Sequence, residues 1–174
     1  MKDYLEDIYI SFQGNDYEKF DKIVDDIRDD NIKLSLKDIV PLCRLSIFDS
    51  EDVEYSQILD IIRIIFWTIE RNDMEKGLQE LIIGLEEIYN EGQKDTWTNW
   101  YGETCEDFID RYIKMSVQGY KEEDMVLFGK LISKNNSIKF KSALLKILEL
   151  IMIDEDDTEE YLIKCKILKE NIKL

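Results

Sequence analysis

The sequence predicts an all-α protein of about nine helices, mostly packed as antiparallel αα-hairpins. Three observations carry this reading. Apolar residues recur at i, i+3, i+4 and i+7 from Leu5 to Leu168, the spacing of one helix face. No run of alternating polar and apolar residues marks a strand. Seven Gly and one Pro in 174 residues leave few interruptions beyond the turns that helices need. The 26 Ile favour strands by propensity, but spacing overrides so weak a preference.

The elements follow in order. Leu5, Ile8, Tyr9 and Phe12 form a first stripe that Gly14 closes. Asn15 with Glu18 has the form of a capping box, and opens a second stripe of Tyr17, Phe20, Ile23, Val24 and Ile27. Ile39, Val40, Cys43 and Ile47 mark a third helix. Its Pro41 fits only a first turn, so Asp38 or Ser35 is the cap. Val53 to Arg71, after the cap candidate Ser50, is apolar nearly all round and belongs in the core, Trp67 included. A short turn at Asn72–Asp73 demands an antiparallel neighbour, carrying Met74 to Tyr89 and closed by Gly92.

Residues 91–103 break the helical pattern as an irregular aromatic insertion. Thr104 then caps a helix of Phe108, Ile109, Tyr112 and Ile113, and Met125, Phe128, Leu131 and Ile132 mark another. Ser137 caps Phe140 to Ile151, and Tyr161, Leu162, Cys165 and Leu168 make the last helix. With the insertion removed, hairpins start every 35 residues or so, roughly the period of HEAT or armadillo solenoids. A compact bundle fits the same pattern, and either way residues 1–174 read as one domain.

Composition narrows the function classes. The net charge is -16 and there is no His. That removes Ser-His-Asp and Cys-His nucleophiles, a His general base and His metal ligands. Cys43, Cys105 and Cys165 are far apart, with no CxxC, and read as buried free thiols. Neither a phosphate-binding glycine loop nor a distinguishable carboxylate pair is present, so no catalytic residue, metal or cofactor is expected. Asp154, Asp156, Thr158 and Glu160 imitate the start of a calcium loop, but Glu159 and Cys165 replace its essential Gly and Glu. Charges at Lys2, Asp3, Glu6 and Asp7 argue against a signal peptide, and no apolar run is long enough to span a bilayer. A cytoplasmic protein is expected.

The charge is uneven. Residues 1–120 hold 28 Asp and Glu against 13 Lys and Arg, and residues 121–174 hold 11 against 10. Such a surface repels nucleic acid and anionic membranes and favours a basic protein. The Lys-rich stretch Lys130, Lys134, Lys139, Lys141 and Lys146 reads as the wet face of two helices. Three places offer a binding face. The first is the insertion and the helix after it: Trp97, Trp100 and Tyr101 as an apolar centre, with Glu103, Asp107 and Asp110 as a charged rim. Its structural alternative is a loop whose indoles fold back as a plug. The second is Asp25, Asp26, Asp29 and Asp30, acids at a helix C-terminus where the dipole opposes them. The third is the turn of Asp49, Glu51, Asp52 and Glu54.

The 26 Ile against a single Ala point to an AT-rich gene of a low-GC bacterium. A small, acidic, His-free helical chain with an acid and aromatic surface resembles an immunity protein of bacterial polymorphic-toxin or contact-dependent inhibition systems. The resemblance is one of type and carries over no residue. It implies a cognate toxin domain, often a basic nuclease, held inactive by tight binding. A helical-repeat adaptor without a toxin partner is the alternative expectation, and an enzyme built on carboxylates is the weakest.

Overall fold

A computed structural model describes residues 2–94, 97–153 and 157–174. Among these the chain is helical throughout, with nine α-helices, one short 3-10 turn and no strand. It divides into two compact units, Met1–Gly84 with Thr98–Gly102 and Leu85–Trp97 with Glu103–Leu174.

The first unit holds α1 (Tyr4–Gln13), α2 (Tyr17–Arg28), α3 (Ile39–Ser46), α4 (Tyr55–Glu70) and the first half of α5 (Met74–Lys94). Asp16 caps α2, its carboxylate accepting from the Lys19 amide at 3.1 Å, so the cap lies one residue beyond the expected Asn15. Asn15 instead makes the turn, in the left-handed region at φ 56°, which Asn tolerates better than most residues. Pro41 stands in the first turn of α3, and Ser35 and Asp38 share the capping, the Ser35 amide donating to Asp38 Oδ2 at 2.8 Å. Ser50 does not cap α4; its hydroxyl accepts from the Asp52 amide and tightens the turn before it.

Ile58, Ile61, Ile62, Ile64, Ile65 and Ile69 of α4 are all buried. Each Ile costs a few tenths of a kcal/mol in helix propensity and gains about 2 kcal/mol by burial, so packing decides the conformation. Phe12 joins this core against Phe20 and Phe48, with ring centroids 5.6 and 6.2 Å away. Trp67 departs from expectation. It is half-buried and lines an open groove beside the Arg28–Asp25 and Arg63–Asp60 pairs.

In the second unit are the end of α5, α6 (Cys105–Gly119), α7 (Glu122–Ser133), α8 (Ile138–Ile151) and α9 (Glu159–Asn171). Gly92 does not close α5, which runs on to Lys94. A Cβ at Gly92 would lie 2.7 Å from that of Cys105, so glycine there admits a neighbour instead of ending the helix. The irregular segment expected from residue 91 is correspondingly shorter.

Helix pairing differs in the two units. In the first, α1 packs on α2 and α3 on α4; in the second, the principal partners are α7 with α9 and α6 with α8. Gly129 sits against Leu168 and Asn171, and Ser133, one turn on, bonds Asn171 and Lys173. The two sets of residue numbers rise together, so α7 and α9 run parallel, with α8 as the crossover between them. α8 also meets α9, its neighbour in sequence, but less extensively than α6 meets α8 or α7 meets α9.

All three Cys are buried free thiols. Burial pushes the Cys105 and Cys165 thiols up to about 11. No helix among the described residues is long and apolar enough to cross a membrane.

Candidate protein-binding surface

The residues expected to form one face fall in different units: Trp97, Glu103, Asp107 and Asp110 in the second, Trp100 and Tyr101 in the first.

In the second unit the carboxylates are used internally. Asp107 completes a capping box with Thr104: its Oδ2 accepts from the Thr104 amide at 2.7 Å and hydroxyl at 2.9 Å, while the Asp107 amide donates to Thr104 Oγ1 at 3.2 Å. The box supplies an acceptor for an otherwise unmet helix-end donor. Asp110 pairs with Lys114, one turn on, at 3.0 Å. Glu103 forms a two-pronged pair with Arg111, both side chains largely covered. The Arg111 guanidinium lies 5.4 Å from the Phe108 ring centre, and Trp97 meets Phe108 edge to face at 6.0 Å. Trp97 is half-buried, in the manner of a packed plug.

In the first unit the same loop is exposed. Trp100 is 62% and Tyr101 44% exposed. Asn99, itself buried, shapes this corner: its side chain accepts from the Tyr101 amide at 3.0 Å and its carbonyl from the Gly102 amide at 2.9 Å. Gly102 adopts φ 77°, a conformation that disfavours a side chain. The Tyr101 hydroxyl then donates to the Val53 carbonyl at 2.8 Å, pinning the ring to the Asp49–Glu54 turn. Tyr55 packs edge-on against it, ring centroids 5.4 Å apart at 74°. On the same turn the Tyr17 hydroxyl donates to the Asp52 carbonyl. Partial desolvation, followed by the charges of Glu54 and Asp52, raises the Tyr17 pKa. Asp49, Glu51, Asp52 and Glu54 are all exposed, and among the described residues none has an ion-pair partner.

The acids at the end of α2 are largely countered. Asp25 and Asp29 pair with Arg28 at 2.9 and 3.1 Å, and Asp30 lies 3.4 Å from Lys33 and 3.9 Å from Arg71. The Arg71 guanidinium also donates to the Ile27 and Arg28 carbonyls, satisfying the helix C-terminus that the acids oppose. The Asp26 carbonyl accepts from the Asn31 and Ile32 amides. Each exposed ion pair contributes little to stability, but each uses up a charge that a partner would need.

Of the calcium-like spacing, Asp154 and Asp156 lie outside the described residues. Thr158 caps α9 through the Tyr161 amide, and Glu160 pairs with Lys164. The Lys-rich stretch is exposed except at Lys141, which is 6% exposed with its ammonium 3.4 Å from the Ser133 carbonyl. No protein-family model matches the sequence, and no curated protein or solved structure matches it.

Sequence reasoning missed Tyr17 and Tyr55 as surface residues. Tyr17 extends the apolar stripe of α2 but occupies its first position, where burial is not imposed by the stripe. The signal for both was proximity to helix starts flanked by acids.

Proposed function

We propose that this chain is a protein-binding inhibitor of the immunity type, which neutralises a basic toxin domain by occluding it with an acidic surface. One observation carries the reading: the Asp49–Glu54 turn presents four exposed carboxylates without ion-pair partners among the described residues, beside the exposed Tyr17 and Tyr101 rings. The other two acidic sets are engaged with cations or a helix cap of the same chain, whereas in this turn only Glu54 is so engaged, its carboxylate accepting from the Gln57 amide in the capping box of α4. Unpaired carboxylates attract a basic partner over distance and raise its association rate. Aromatic rings give the desolvated centre that holds it. The site of action is the cytoplasm, with no role for nucleic acid or membrane and no catalytic group.

The test is growth rescue. The chain is co-expressed in a bacterial host with the product of the reading frame adjoining its gene. Rescue, a co-eluting complex, and loss of both in the Asp52→Lys/Glu54→Lys variant with its helicity intact support the reading. Absence of both rescue and complex overturns it.

A further inference from the structure

We propose that the Tyr55–Tyr101 corner, with the Tyr17 ring and the Asp52 and Glu54 carboxylates, is a receptor for an arginine side chain of the protein partner; the identity of that partner rests on the inhibitor reading above. The geometry points to a cation. The Tyr55 and Tyr101 rings meet at 74° with centroids 5.4 Å apart, forming two walls of a corner. The Tyr17 and Tyr101 hydroxyls are both committed as donors, to the carbonyls of the consecutive residues Asp52 and Val53. What these two rings offer a newcomer is therefore ring face and edge, with little donor capacity. The negative ring face attracts cations, and exposed carboxylates stand on the same turn.

No Lys or Arg among the described residues lies over the Tyr17, Trp100 or Tyr101 rings, in contrast to Lys2 over Tyr4 and Arg111 over Phe108. A polar group nearby also lacks its partner. The Gln57 Oε1 accepts from the Glu54 amide at 3.1 Å, and its buried Nε2 has no acceptor among the described residues.

Arginine suits this arrangement better than lysine. Its guanidinium is planar and weakly hydrated, stacks on a ring and bonds a carboxylate through two N–H groups at once. A lysine ammonium is a compact, strongly hydrated charge that gains less from a ring at a wet surface.

The test uses the full chain and capped tetrapeptides of arginine, lysine and citrulline, the last a neutral near-isostere of arginine. Binding is followed by NMR on the tyrosine rings at about 0.15 M salt, where long-range attraction is screened. The arginine peptide is expected to bind about five-fold more tightly than the lysine peptide, to shift the Tyr17, Tyr55 and Tyr101 rings, and to outcompete citrulline altogether. Tyr101→Leu is expected to abolish the preference for arginine over lysine while leaving the helical signal intact. Glu54→Gln is expected to weaken both basic peptides without touching the core.

Equal affinity for the arginine and lysine peptides, or shifts confined to residues 25–30, overturns the proposal. So does unchanged arginine preference in Tyr101→Leu. Growth rescue without arginine selectivity removes this proposal and leaves the inhibitor reading standing. Arginine selectivity without rescue does the reverse.

Discussion

The stretch of chain from Trp97 to Asp110 contains two kinds of surface made from the same residue types. In the second unit, Trp97 is covered by Phe108, Glu103 grips Arg111, and Asp107 closes a helix cap. In the first unit, Trp100 and Tyr101 stand in solvent, and the acids of the turn to which Tyr101 is tied have no cation from the described chain. Carboxylate and ring chemistry is common to both, and each spends one carboxylate on a helix cap, Asp107 in the second unit and Glu54 in the first, but only the first leaves its other acids without a cation among the described residues. A binding face is therefore marked by what its groups are not already doing. Acid density alone does not mark one, since the densest run, at the end of α2, faces Arg28, Lys33 and Arg71.

Stability measurements separate the halves most sharply. Trp97→Ala removes a half-buried indole from its Phe108 contact and is expected to cost about 2 kcal/mol, lowering the melting temperature by roughly 4–8 °C. Trp100→Ala is expected to stay within about 0.5 kcal/mol, as surface substitutions do. Chemical denaturation of the two variants checks the pair, and equal costs would erase the distinction between the indoles.

A smaller effect is expected from the caps. Asp107→Ala breaks the box with Thr104 and should cost about 1 kcal/mol. Asp52→Ala should cost nothing measurable, because its carboxylate holds no ion pair among the described residues. A thermal melt of each variant decides it.

A further effect appears only in alkali. The Cys105 and Cys165 thiols, both in the second unit, are raised from 9.0 to about 11 chiefly by burial. A raised folded-state pKa gives stability that is complete below the unfolded value and is lost as pH rises through the folded one. Melting temperature should thus be independent of these thiols below about pH 9 and fall between about 9 and 11. Cys105→Ala and Cys165→Ala together should flatten that fall; an unchanged alkaline slope assigns it to other groups.

The sequence made the helices legible because their stripes are long and their caps chemically distinct. Thr104, Ser137 and Pro41 mark their helix starts as expected. Gly92 was misleading because glycine serves both as a helix stop and as space for a neighbour, and the neighbour, Cys105, is remote enough in sequence to give no local sign. The pairing of α7 with α9 was equally hidden, since spacing records which face is apolar and not which helix covers it. Within the candidate surface, Trp100, Tyr101 and the Asp49–Glu54 acids could be named from sequence, but as parts of different sites. Their union depends on the Tyr101–Val53 bond, a contact across 48 positions.

The central claim is that the Asp49–Glu54 turn, and not the acids of α6, meets the partner. It is tested most directly by the association rate of the toxin domain identified by growth rescue, measured across a salt series. For Asp52→Lys/Glu54→Lys the rate is predicted to fall at least about ten-fold at low salt and to lose most of its salt dependence. For Asp107→Asn/Asp110→Asn it is predicted to stay within about two-fold of the parent. The opposite ranking, with the α6 acids controlling the rate and the turn silent, would contradict the account.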